Sequence, residues 1–113
     1  MDDIIARVLR VGGHLPGLER GTSYGTPAAK VRGKGIARVK DDETLVLMIG
    51  LADKELLMEA APEIYFETDH YRGWPAVLVR MAAIDDDELA HRLEQAWRMK
   101  APRLLVKALD AGR

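Results

Sequence analysis

The chain contains no cysteine, which excludes a disulfide framework, a thiolate metal site and a thiol nucleophile. A reducing compartment is compatible with that. Aromatic residues are scarce, with two Trp, three Tyr and one Phe in 113 residues, so aliphatic side chains must fill any core. The one serine, Ser23, stands in a weakly strand-like stretch without a nucleophile-elbow motif, so a Ser/His/Asp triad has no support. No apolar run approaches the roughly 20 residues that a bilayer span needs, and no membrane segment is expected. Met1-Asp2-Asp3 is acidic where a secretory signal would be basic, so a cytoplasmic location is expected. Charge of one sign is lacking too: 17 Lys and Arg against 18 Asp and Glu give a net charge of −1, and no global field favours nucleic acid or an anionic membrane.

What is present suits one compact domain over residues 1–113. Ile4, Ile5, Val8 and Leu9 recur at helical spacing until Gly12-Gly13, predicting a helix over 2–12. Strand-like runs follow at 19–24, 28–32, 36–40 and, most clearly, in "TLVLMI" at 44–49. A short helix over 53–61 with Asp53 as N-cap is ended by Pro62 and followed by strands at 64–68 and 76–81. In "DDDELAHRLEQAWR", Asp85 and Glu88 have capping-box spacing, and Leu89, Leu93, Ala96 and Trp97 share one face. Pro102 opens a last helix whose inner face is Leu104, Leu105, Ala108 and Leu109. This order predicts an α+β fold, a layered domain with a mainly antiparallel sheet.

Charge is uneven locally. Lys30, Arg32, Lys34, Arg38 and Lys40 fall within "AKVRGKGIARVK" at 29–40, with Asp41-Asp42-Glu43 directly after. A three-residue loop Gly33-Lys34-Gly35, with Gly35 left-handed, would segregate an apolar face (Ala29, Val31, Ala37, Val39) from a charged one. It would also set Lys30 directly across from Arg38, a like-charged pair costing about 0.2–1 kcal/mol. Either acids such as Glu19, Glu43 or Glu67 neutralise this face, or the side chains splay into water, or an anionic partner meets it; a nucleic-acid backbone is the partner such a ribbon would fit. No phosphate-loop motif is present, because "GKG" opens no helix.

"DHYRGWP" at 69–75 gathers Asp69, His70, Tyr71, Arg72 and Trp74, which could supply an acid/base dyad, a stacking platform and an anion contact, or merely connect two strands. His14, His70 and His91 lie in separate segments without ligand spacing, and Asp85–Asp87 is explained by helix capping, so no metal or cofactor is expected.

"HLPGLE" at 14–19, "SYGTPAAKVRGKGIARV" at 23–39, "DHYRGWPAVLVRM" at 69–81 and "AWRMKAP" at 96–102 together closely resemble the MmcQ/YjbR family of small bacterial proteins. The resemblance implies a two-layer sandwich of the CyaY-like kind, with helices on one face of an antiparallel sheet, and a DNA-binding role of the sort its members are commonly assigned. Ile36 and Ala29 stand where the family often has aromatics, which removes stacking groups but leaves phosphate contacts. The sequence thus points to a non-enzymatic domain that touches nucleic acid, without sequence preference, through Lys30, Arg32, Lys34, Arg38 and Lys40, assisted by Arg72 and Trp74. The alternative is a protein-interaction module or homodimer that uses the second apolar face of "TLVLMI", namely Val46 and Met48. A third reading is a small-molecule site around His70, Tyr71 and Trp74.

Overall fold

In the computed structural model, which describes residues 1–113, the chain runs α1 (Asp2–Val11), β1 (Leu18–Ser23), β2 (Thr26–Val31), β3 (Lys34–Val39), β4 (Thr44–Met48), α2 (Leu51–Ala60) and β5 (Tyr65–Phe66). A 3-10 turn at Asp69–Tyr71, β6 (Ala76–Arg80), α3 (Asp86–Lys100) and α4 (Arg103–Ala111) complete it. The six strands form one antiparallel sheet in the order β1-β2-β3-β4-β6-β5, the α+β architecture expected. Alternation sends Ala29, Val31, Ala37, Val39, Leu45, Leu47, Val77 and Val79 to one face. There they pack with Ile4, Ile5 and Val8 of α1, Leu89, Leu93, Ala96 and Trp97 of α3, and Leu109 of α4. The opposite face carries no helix across its centre.

Trp97 is fully buried, and its indole N–H donates to the Pro16 carbonyl at 2.9 Å. That bond ties α3 to the "LPGL" turn. Gly17 there has φ +73°, a conformation that favours glycine, and a Cβ on it would also push aside the Leu105 Cδ1, 2.9 Å away.

Several elements differ from expectation. Helix α2 starts at Leu51 after Gly50 with no side-chain cap, and Asp53 sits inside its first turn, where it favours the helix dipole without capping. Strand β5 is two residues long, because Glu67 turns away to the Lys54 ammonium and the Thr68 carbonyl begins the 3-10 turn. At α3 the Asp85 carboxylate accepts from the Glu88 N–H at 2.8 Å, as an N-cap should. Glu88 does not complete the capping box. Its carboxylate instead accepts from the Tyr65 hydroxyl, and burial followed by this bond pushes that phenol up to about 12.

The β2–β3 connection departs furthest. The corner is the two-residue turn Arg32-Gly33, with φ of 50° and 79°, and Gly35 is not left-handed. Val31 pairs with Lys34 and Lys30 with Gly35, then a bulge on β3 shifts the register so that Ala29 meets Ala37 and Ala28 meets Arg38. The bulge turns both Ile36 and Ala37 into the core, which keeps the faces segregated without a three-residue loop. Lys30 therefore does not oppose Arg38. The predicted like-charged pair is absent.

The β1–β2 corner repeats this chemistry, with Tyr24 at φ 52° and Gly25 at 78°. Type I′ turns match the twist of hairpin strands but favour Asn at the first position, and a larger side chain there is strained by about 1–2 kcal/mol. Arg32→Asn should accordingly raise stability by about 1 kcal/mol in urea denaturation; an unchanged midpoint would mean that the turn is not strained.

On α3, Glu94 accepts from Arg113 and from Arg98 Nε at 3.0 Å. These guanidinium groups hold its carboxyl at about 2, well below its ordinary 4.5. Because the folded value is depressed, the stabilisation is fully present above about 4.5 and is lost as pH falls toward about 2. Glu94→Gln should thus destabilise at neutral pH, with the difference from wild type shrinking between pH 4.5 and 2 in denaturant titrations.

Candidate functional site

One cross-strand row runs the full width of the helix-free face of the sheet. Gly21, Ala28, Arg38, Val46, Leu78 and Phe66 stand opposite one another across all six strands. Residues at one end of the row are small, those at the other are large, and Arg38 at its middle is the sole charge. Val46, Leu78 and Ala76 make a small second apolar cluster, covered by Phe66, Met48 and Tyr71. Phe66 and Tyr71 thus pack over part of the second face of β4, where Val46 is buried and Met48 half-buried.

Where the row is small, the surface is hollow. A groove of about 580 Å³ lies over Ala28, Gly35, Arg38, Val46 and Ala76, walled on one side by Ser23 and Tyr24 and on the other by His70, Tyr71, Trp74 and Pro75. No Asp or Glu lines it. Tyr24 is 92% exposed and Trp74 61%, so both rings stand free at the rim.

Arg38 is half-buried in the groove and held from two sides. Nη2 donates to the Tyr71 hydroxyl at 2.5 Å and Nη1 more weakly to Thr26 Oγ1 at 3.4 Å, while the guanidinium carbon lies 5.4 Å from the centre of the Tyr24 ring. Lys30, on the same face, lays its aliphatic stem along Gly21, where a Cβ would come within 2.9 Å of the lysine Cδ. Arg32 occupies the turn and Lys34 the exposed start of β3. Lys40 follows β3 and sits 3.7 Å from Asp41.

Neutralisation of the hairpin by neighbouring acids fails at four of these five cations. Glu19 is the register partner of Lys30 but makes no ion pair, and Glu67 is engaged by Lys54. No carboxylate lies within 4.0 Å of a charged nitrogen of Lys30, Arg32, Lys34 or Arg38. By contrast, Arg7, Arg10, Arg20, Arg72, Arg98 and Arg113 each contact an acid.

The 67–75 segment is positioned by a residue that sequence reasoning missed. Lys54 is only 2% exposed, and its ammonium donates to the carbonyls of Tyr71 at 2.7 Å and Trp74 at 3.0 Å and pairs with Glu67 at 2.8 Å. All three N–H groups are thereby used. The signal was its place in the helical series Lys54, Leu57, Met58, Ala61, where a lysine occupies an apolar stripe. Tyr24 was missed likewise; only the glycine after it, between two strand-like runs, marked a turn there.

Of the expected assistants, Trp74 reaches the groove and Arg72 does not. Arg72 pairs with Asp69 at 2.7 Å and lies beside Leu51, Lys54 and Glu67 on the α2 side. His70 packs edge to face on Tyr71, with ring centres 4.9 Å apart, so Asp69 and His70 form no dyad.

A family model for YjbR proteins matches residues 13–99, most of the chain. The chain belongs to the YjbR family. Two mycobacterial proteins share the likeness: the uncharacterized protein Mb2600 of Mycobacterium bovis and the uncharacterized protein Rv2570 of Mycobacterium tuberculosis are each 46% identical to it over 59 residues, 52% of this chain. The match spans 46% of each relative, about half its length. No solved structure matches at a comparable level of significance. The YjbR match includes the hairpin, the groove and Lys54, so every part of the site described above lies inside the family region.

Proposed function

We propose that this YjbR-family domain contacts single-stranded nucleic acid, without sequence preference, on the helix-free face of its sheet. The observation carrying this reading is that Lys30, Arg32, Lys34 and Arg38 have no acidic partner, although the chain is slightly acidic overall and pairs most of its other arginines. Four unpaired cations along one hairpin suit a backbone of phosphates, whose binding releases counterions. Exposed Tyr24 and Trp74 beside them suit unpaired bases, which every sequence can stack. A duplex hides its base faces, so the strand form is favoured.

Fluorescence anisotropy with a labelled oligo-dT tests this directly. Affinity at physiological salt should be on the order of 10⁻⁴ to 10⁻⁶ M. The plot of log affinity against log salt should fall with a slope of about −3, each of four contacts on a single strand contributing about −0.7. An oligonucleotide that leaves anisotropy unchanged at low salt overturns the proposal.

A further inference from the structure

Resting on that reading, we infer that the groove is a seat for one unstacked nucleotide, with its base between the Tyr24 and Trp74 walls and its phosphate on Arg38. A guanidinium carries five N–H donors, and Arg38 spends one on Tyr71 and one on Thr26. Three remain, with no carboxylate among the residues that line the cavity. A half-buried cation without a countercharge suits an anion, and one already hydrogen-bonded to Tyr71 and Thr26 loses little freedom when it is occupied.

The walls say what the anion is attached to. Ala28, Val46 and Ala76 offer a smooth apolar floor, and the volume of about 580 Å³ falls in the range of small-molecule sites, far more than a bare phosphate needs. A ring-bearing anion satisfies both features. Tyr24 adds an independent observation: it holds a strained left-handed conformation with φ 52°, at a corner where asparagine would be easier, and the residue is 92% exposed. Strain of this kind persists where the side chain has a use, here as a wall of the seat and a plate behind Arg38.

The same chemistry, a flat base with a phosphate, is offered by a nucleotide within a strand and by a free mononucleotide. Amide NMR titrations with dTMP, thymidine, inorganic phosphate and an eight-residue oligo-dT, on wild type, Arg38→Gln and Tyr24→Asn, separate these. The inference predicts that dTMP shifts the amides of Gly35, Arg38, Tyr71 and Trp74. It also predicts that thymidine and phosphate each bind at least tenfold more weakly, and that Arg38→Gln weakens dTMP at least tenfold. Tyr24→Asn, which eases its turn and cannot unfold the sheet, should weaken dTMP about fivefold or more, the low end of one lost stacking contact.

If oligo-dT shifts hairpin amides while neither it nor dTMP moves the groove amides, the strand-binding reading stands and the seat is wrong. Phosphate binding as well as dTMP also overturns the seat. If dTMP fills the groove and oligo-dT binds no tighter, the seat stands with a free nucleotide as its ligand and the strand reading falls. Silence from every probe overturns both.

Discussion

Replacing Lys54 with methionine is expected to lower the unfolding free energy by about 3 kcal/mol, because two part-buried carbonyls lose a buried donor and each such group costs about 1–3 kcal/mol. Methionine fills a similar volume, so cavity formation contributes little. The carbonyls are those of Tyr71 and Trp74, and the third partner, Glu67, retains some contact with water and should adapt at lower cost. For a domain of this size the melting temperature should drop by roughly 10–20 °C. The second consequence is local. Tyr71 holds Arg38 and Trp74 forms a groove wall, so freeing their backbone should mobilise the groove before the core opens. Heteronuclear NOE values for residues 67–75 should fall in the variant at temperatures where α3 amides are unchanged. A loss below 1 kcal/mol with an unaltered 67–75 segment would mean that Lys54 does not hold the loop.

Helices α3 and α1 were legible in the sequence because each buries a face whose period reports it without reference to any partner, and β4 was legible as a continuous apolar run, buried on both faces. The hairpin register was not legible. Two loop lengths place apolar residues on one side of the strands, and a single-residue bulge at Ile36 changes the pairing while preserving that segregation. The charged cluster at 30–40 was visible as composition, yet whether acids cancel it depends on side chains as distant in sequence as Glu67, and those can be placed only by the sheet order. The groove was less visible still. It exists because Ala28 and Gly35, on adjacent strands, are small where the residues around them are larger, a property of the sheet's cross-strand pairing that has no period along the chain. Lys54 shows the opposite case: its misfit on an apolar stripe was readable, and only its partners were hidden.

The hairpin cations carry the second large effect. Lys30, Arg32 and Lys34 are half-buried or exposed, and they lack ion pairs that their removal would break, so a triple alanine variant should fold as wild type does. Arg32→Ala leaves the turn's first position strained but no worse placed. Lys100, Arg103 and Lys107, on the helical side, likewise form no ion pair, and their replacement by alanine makes the same change in net charge at a different place. A protein that attracts nucleic acid by net charge alone would respond equally to both variants. One that binds through the hairpin would not. The deciding measurement is therefore the salt dependence of oligo-dT affinity for wild type and these two variants. The account predicts that the Lys30/Arg32/Lys34 variant loses at least tenfold in affinity at low salt and has a slope shallower by about 2, while the Lys100/Arg103/Lys107 variant keeps the wild-type slope. Equal slopes for all three proteins would contradict it.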